Sequence, residues 1–243
     1  MKYKITAITS IYKGEIFIDS FLENIVKQTQ FDNCEWFLLD ASNSGAEYKS
    51  IKPYIARYKN IRYETIKQDP GIYGCWNYMI ENSDSEYIFN ANLDDRLFPY
   101  FIEKHVKELE KHSECDLVYC ANVLTTDLDD LKIFNKSLKE IKLYPNGAFN
   151  RKKMITHCYP NCHPMWRRTM HAVNGLFNTE YHSAGDFEFW LRCLAAGGKD
   201  FRYINEILGI YYLNPNGLST NIENNDKKNI EENTVKEIYQ NKI

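Results

Sequence analysis

The chain has 243 residues, 44% apolar and 14% aromatic, with 30 Lys and Arg against 33 Asp and Glu, a net charge of −3. That balance excludes a surface built to coat nucleic acid, which needs a basic excess. No run approaches the ~20 apolar residues of a membrane helix, and the opening MKYKITAITSIYKG is too polar for a signal peptide and reads as a strand. Seven cysteines, an odd number, fit a reducing compartment better than a disulfide framework.

Residues 4–10 are apolar and β-branched and predict a first strand, closed by the turn YKGE. Over 15–28, Phe17, Phe21 and Ile25 recur at four-residue spacing beside Ile18, Leu22 and Val26, which makes one broad helical stripe. EWFLLD is the next strand, ending on Asp40, and ASNSG is turn chemistry. A helix over 48–58, a strand IRYETI, a loop DPGIYG and a helix over 75–82 follow. EYIFNA is the fourth strand, Ile102, Val106 and Leu109 mark the next helix, and DLVYCANV is the fifth strand. This alternation predicts one α/β domain, a mostly parallel central sheet flanked by helices. Later, TTDLDDLKIF reads as a hairpin or excursion, GDFEFWLRCLAAGG as a helix stopped by its glycine pair, and FRYINEILGIYYL as one or two strands. The polar tail ends in a helix over 229–239.

HCYPNCH gathers His157, Cys158, Cys162 and His163. Zinc sites usually draw on two separated ligand pairs and no second pair follows, so ordinary thiols are the expectation.

Ligands of open α/β sheets bind beyond the carboxyl ends of the strands. The polar residues there are Thr9, Ser10 and Tyr12, then Asp40 and Ser42, then Asp69 and Gly71, then Asn92, Asp94 and Asp95. Adjacent carboxylates repel unless positive charge is near. Asp94 and Asp95 could simply cap the helix near Pro99. The company of other polar strand ends favours a divalent cation instead, and oxygen donors suit Mg²⁺ or Mn²⁺. Neither G-x-x-x-x-G-K-[ST] nor a G-x-G-x-x-G after the first strand occurs, which disfavours P-loop and dinucleotide sites. A diphosphate here needs a metal to carry its charge, which points to a nucleotide sugar.

Three blocks resemble the family 2 glycosyltransferases with the GT-A fold: TAITSIYKGEIFIDSFLENIVKQTQFDNCEWFLLDAS, DPGIYGCWNYMIENSDSEYIFNANLDD, and HPMWRRTMHAVNGLF with SAGDFEFWLRCLAAGG. The resemblance spans most of residues 4–219 and is weakest over 124–160. It implies a transferase domain over 1–220, with a nucleotide-binding half to about 120 and an acceptor half beyond, followed by a helical tail over 221–243. It implies that Thr9, Tyr12 and Asp40 meet base and ribose, that Gly71, Asn77, Asn92 and Asp95 complete the donor site, and that Asp94 binds the metal. Asp186 would be the base, Trp190 and Arg192 would support its helix, and His163, Met165, Trp166 and Trp190 would lie on the acceptor side. The implied reaction is inverting transfer from a UDP-linked sugar to a glycan or lipid-linked acceptor, with Mn²⁺ or Mg²⁺. The expected location is cytoplasmic or peripheral at a membrane surface, and a homo-oligomer is compatible with the chain. The sequence departs from the family pattern at Asn92 (for the first Asp of D-x-D), at Ala41 (for a second Asp after the second strand) and at Gly185 (for the Glu of the E-D pair). YLNPNGLS also lacks a His that some relatives offer to the metal. These losses keep a non-catalytic nucleotide-sugar-binding or scaffold module as the rival reading. Arg151, Lys152, Lys153, Arg167 and Arg168 are expected to be solvated surface charge.

Overall fold

β-branched and aromatic runs become strands as expected, and the first of them organises the rest. In the computed structural model, which describes residues 2–42, 44–129, 142–143, 147–160 and 162–243, β1 (Ile5–Ile11) is buried on both faces. It is flanked in parallel by β2 (Cys34–Asp40) and β4 (Tyr87–Asn90), and β3 (Ile61–Thr65) adds parallel to β2. Strands covered on both sides can be apolar throughout, which explains why CEWFLLD shows no alternation.

Beyond β4 the sheet becomes mixed. β8 (Met165–Arg167) runs antiparallel between β4 and β6 (Cys115–Thr125), and β9 (Asp200–Tyr212) pairs parallel with β6. Two short strands complete it: β5 (Arg96–Leu97) lies antiparallel to β9, and β7 (Lys142–Leu143) antiparallel to β6. The order is β3-β2-β1-β4-β8-β6-β9-β5. β9 is one long strand rather than two, with register shifts against β6 around Cys120, Ala121 and Asn122. The expected excursion over 125–134 lies, from residue 130 on, outside the described residues.

Helices cover both faces. The core of one face draws on α1 (Glu15–Ile25), α2 (Tyr48–Arg57) and α4 (Phe101–Lys111). That of the other draws on α3 (Gly71–Glu81), α5 (Thr169–Asn174), α6 (Gly185–Ala195) and α7 (Asn225–Tyr239). α1 stops short of Gln28, whose side-chain amide is needed elsewhere: it donates to the carbonyls of Leu97 and Phe98. α3 starts a turn earlier than its apolar spacing suggests. Asp69 Oδ1 accepts the Gly71 N–H at 2.8 Å, and Gly71 turns the chain at φ +77°, a conformation glycine adopts without strain. α7 is no free tail, since Val235 and Tyr239 are buried against the α6 layer.

The basic residues expected at the surface are largely fasteners. Arg167 donates to the carbonyls of Cys115, Leu109 and His112, Arg168 to Ile80 and Ser83, and Arg151 to Asp200, Leu194 and Gly198.

Gly209 is where β9 passes the buried polar pair Asn122 and His163. A Cβ there would stand 2.4 Å from Asn122 Oδ1 and 2.5 Å from His163 Nδ1, two atoms bonded to each other at 2.6 Å. Gly209→Ala is expected to cost about 2 kcal/mol, read as a lower midpoint of urea unfolding at unchanged slope.

Candidate functional site

The site is built on a tight turn. After β4, Asn92, Leu93, Asp94 and Asp95 turn over the sheet edge, and Asp95 N–H closes on the Asn92 carbonyl at 3.2 Å. Gly14 makes room for it, because a Cβ there would stand 2.0 Å from Leu93 Cδ2. Arg96 is wholly buried beneath. Its guanidinium donates to the carbonyls of Leu93, Asp95 and Phe17 and to Ser20 Oγ, so it ties the turn to α1. Burial lowers its pKa to about 10 against the pull of both carboxylates.

The two carboxylates have different lives. Asp95 is buried and satisfied: Oδ1 accepts the Tyr212 N–H at 3.0 Å and Oδ2 accepts Asn92 Nδ2 at 3.0 Å, with His163 Nε2 at 3.4 Å. Asp94 stands outward and accepts Asn214 Nδ2 on Oδ2 at 2.9 Å. Burial, then the Asp95 charge, push its carboxyl up to about 6. A carboxylate whose ionisation is penalised by a like neighbour is one that a cation would relieve. Asn214 lies in YLNPNGLS, the segment that lacks a His, and offers an amide to Asp94. The C-terminal end of β9 thus delivers it to the end of β4.

At the first two strand ends, Ile11 and Asp40 lie in register. Thr9 is 1% exposed and its Oγ1 has no hydrogen-bond partner, while Tyr12 is 51% exposed beyond it. Asp40 is buried; Oδ1 takes the Ser42 N–H at 2.8 Å and its hydroxyl at 2.5 Å, and Oδ2 takes Tyr63 OH at 2.8 Å. Asp40 therefore shapes the loop after β2 as well as facing the edge. Glu47, fully buried, supports the same loop. It accepts the Gly14 N–H at 2.8 Å and the hydroxyls of Ser42 and Ser44. Sequence reading missed it because an isolated Glu in a polar run reads as surface.

Asn77 is elsewhere engaged. Its Nδ2 donates to the Phe177 carbonyl at 2.8 Å and its Oδ1 accepts the Phe177 N–H at 3.0 Å. It fastens the segment before α6 to α3, and both ends of its amide are occupied. Gly71 is exposed and starts α3, with open space where its Cβ would be. Asn92 sits between Asn90 Nδ2, which it accepts, and Asp95.

Asp186 lies in the first turn of α6. Its Oδ1 accepts Tyr73 OH at 3.1 Å and the Phe187 N–H at 2.8 Å. Burial raises its pKa, against the hydrogen bonds from Phe187 and Tyr73. Tyr73 reaches it because residue 185 is glycine: a Cβ there would stand 2.7 Å from the Tyr73 ring. The apparent loss of the Glu is thus the space that Tyr73 occupies. Tyr73 ties Asp186 to the first turn of α3, the helix that packs on β1 and β2.

The four residues expected on the acceptor side are not at a surface. His163, Met165 and Trp166 are 0% exposed and Trp190 1%. The reason is topological: β8 is inserted in the middle of the sheet, so its side chains enter both cores. Trp166 Nε1 donates to His171 Nε2 at 2.9 Å, and its ring meets that of Trp190 edge-on at 5.3 Å. Arg192 does support α6, bonding Glu188 and the carbonyls of Asn174 and Leu176. Of the HCYPNCH group, His163 is bound to Asn122, and His157 packs edge-on against Tyr159 at 4.6 Å.

Among the described residues no group of three or more His, Cys, Asp or Glu could enclose a metal ion. The donor set fits only a sparsely held cation. One carboxylate, Asp94, with the Asn214 amide beside it, would suit Mg²⁺ or Mn²⁺ that takes its other oxygens from phosphates and water. No helix among the described residues is long and apolar enough to cross a membrane.

The family model described as glycosyl transferase family 2 matches residues 6–173, and the chain belongs to that family. A glycosyltransferase of Methanocaldococcus jannaschii is 26% identical over 206 residues, 83% of this chain and 67% of that protein. S. aureus TarS 1–349 in complex with UDP-GlcNAc shares the fold at a TM-score of 0.70 and 16% identity, over 89% of this chain and 61% of that one. The mannosyltransferase PcManGT from Pyrobaculum calidifontis, in complex with GDP-Man and Mn²⁺, gives 0.64 at 16% identity, over 90% of this chain and 59% of that one. The fold is GT-A, and the chain spans about three fifths of the length of these two structures.

Asn77→Ala should cost about 2 kcal/mol of stability through two lost main-chain hydrogen bonds. Calorimetric affinity for uridine diphosphate should stay at the wild-type value; a fall in affinity at unchanged stability would return Asn77 to the donor site.

Proposed function

We propose that the chain transfers a sugar from a nucleoside-diphosphate donor, UDP-linked, to a hydroxyl of a glycan or glycoconjugate, with inversion at the anomeric carbon. The observation that carries this reading is a pair of carboxylates in complementary states. Asp94 stands in an anionic turn at the end of β4, and Asp186 is half-buried beside Tyr73 at the start of α6. UDP-GlcNAc in TarS, and GDP-Man with Mn²⁺ in PcManGT, support a nucleotide-sugar donor and a divalent cation.

The leaving nucleoside diphosphate gathers negative charge as the glycosidic bond breaks, and a divalent cation on Asp94 would supply Lewis-acid stabilisation of that charge. The protein's own residues do the rest. Tyr12 is exposed at the edge where base and ribose would lie, with Thr9 and Asp40 buried beneath it. The acceptor hydroxyl gives its proton to Asp186, and its oxygen attacks the anomeric carbon from the face opposite the departing diphosphate. Asp186 Oδ1 is held by Tyr73 and the Phe187 N–H, so the proton goes to the other oxygen. A carboxylate raised by burial is a stronger base than an exposed one. That Gly185 admits Tyr73, rather than leaving a gap, favours a working site over a degenerate one.

The test is Mn²⁺-dependent release of nucleotide from a panel of UDP- and GDP-sugars. Asp94→Ala should lose the metal-dependent turnover while remaining folded. Asp186→Asn should keep donor affinity and lose turnover by about 10²- to 10⁴-fold. Undiminished turnover in either variant overturns that residue's role.

Asp186 must be ionised to accept a proton, so turnover falls as pH drops through its raised pKa. The Tyr73 hydroxyl stabilises the carboxylate and holds that pKa down. Tyr73→Phe should therefore move the acid limb of the rate profile to higher pH. An unmoved limb would show that Tyr73 packs without tuning the base.

A further inference from the structure

The backbone that leads into Asp186 is held from outside its own neighbourhood. Residues 181–183 lie outside regular structure, and Ala184 is the N-cap of α6. Three consecutive main-chain N–H groups there point at one carboxylate on α7. Glu231 Oε1 accepts His182 N–H at 2.7 Å, and Oε2 accepts Ser183 N–H at 2.8 Å and Ala184 N–H at 3.1 Å, with Ser183 Oγ also at 3.1 Å. Burial acts to raise this carboxyl, but the convergent donors outweigh it and hold it below its usual value. Such a concave set of N–H groups is an anion nest, and hydrogen bonds to an ionised acceptor are the strong kind.

The brace is a designed face rather than one stray contact. Glu231, Val235 and Tyr239 recur at four-residue spacing along α7. Val235 is fully buried, and Tyr239 OH donates to Glu188 Oε1 on α6 at 2.7 Å. Among the described residues, the hydrogen bonds between α7 and the chain immediately before Gly185 all go to Glu231. α6 and α7 both lie beyond the stretch matched by the family model, which ends at residue 173.

We propose that Glu231 is a positioning residue for the transfer reaction: it fixes the main chain of residues 182–184 and thereby sets where the Asp186 carboxylate stands relative to the acceptor hydroxyl. The inference rests on the reading of Asp186 as the base. α7 thus acts on the reacting centre without touching substrate. A misplacement of the order of 1 Å in a catalytic group is enough to cost about a hundredfold in rate.

The experiment uses the full chain with Mn²⁺ and the donor panel, and compares Glu231→Gln, Tyr239→Phe and Asp186→Asn. Gln at 231 keeps the size but presents N–H groups where a carboxylate oxygen accepted one. Expected for Glu231→Gln is a kcat lower by about 10- to 100-fold with the donor KM within about twofold, and faster amide exchange over 182–186. Tyr239→Phe weakens the same helix elsewhere and should lower thermal stability with kcat unchanged. An unchanged kcat in Glu231→Gln, alongside an inactive Asp186→Asn, overturns the inference and leaves the base intact. An equal loss of kcat in Tyr239→Phe also overturns it, reducing Glu231 to general support of α7. Full turnover in Asp186→Asn refutes the base assignment itself, whatever Glu231 does.

Discussion

The buried guanidinium of Arg96 is the constraint on which the site depends. Two carboxylates in sequence just past the end of β4 would push each other and the turn apart. A positive charge sealed beneath them offsets part of that repulsion, while its hydrogen bonds to Leu93, Asp95 and Phe17 fix the turn's own backbone. It does not form an ion pair with either carboxylate by direct contact; it anchors the carbonyls around them. Asp95 is then absorbed by the Tyr212 N–H and Asn92, and Asp94 alone is left to face outward. The asymmetry of an apparently symmetric pair follows from what lies underneath.

The sheet order turns this local arrangement into a site. Placing β1 between β2 and β4 brings Thr9, Asp40 and the Asp94 turn to one edge, and pairing β9 with β6 and β5 brings Asn214 back over it. The helical layer of α3, α6 and α7 supplies the second carboxylate. Its supports form a chain of contacts: Asn77 to Phe177, Arg192 to Leu176, Tyr73 to Asp186 and Glu231 to Ala184.

Much of this was legible in the residues. Periodicity found the first four strands and the helices between them, and the polar strand ends marked the edge. What escaped was set by distant partners. β5 and β8, at two and three residues, are too short to carry a period, yet β8 decides that Met165 and Trp166 are core. Asn77 and Asn214 carry amides, whose roles depend on which backbone or carboxylate they meet. Glu47 and Glu231 read as solvated charge, because nothing local reveals the N–H groups that converge on them.

Residues 73 and 185 have an implication for descent. The tyrosine ring occupies the volume that any side chain at 185 would claim, so neither position can drift alone. A lineage passing between an acidic pair and this glycine–tyrosine arrangement must cross a state that is either hollow or overcrowded.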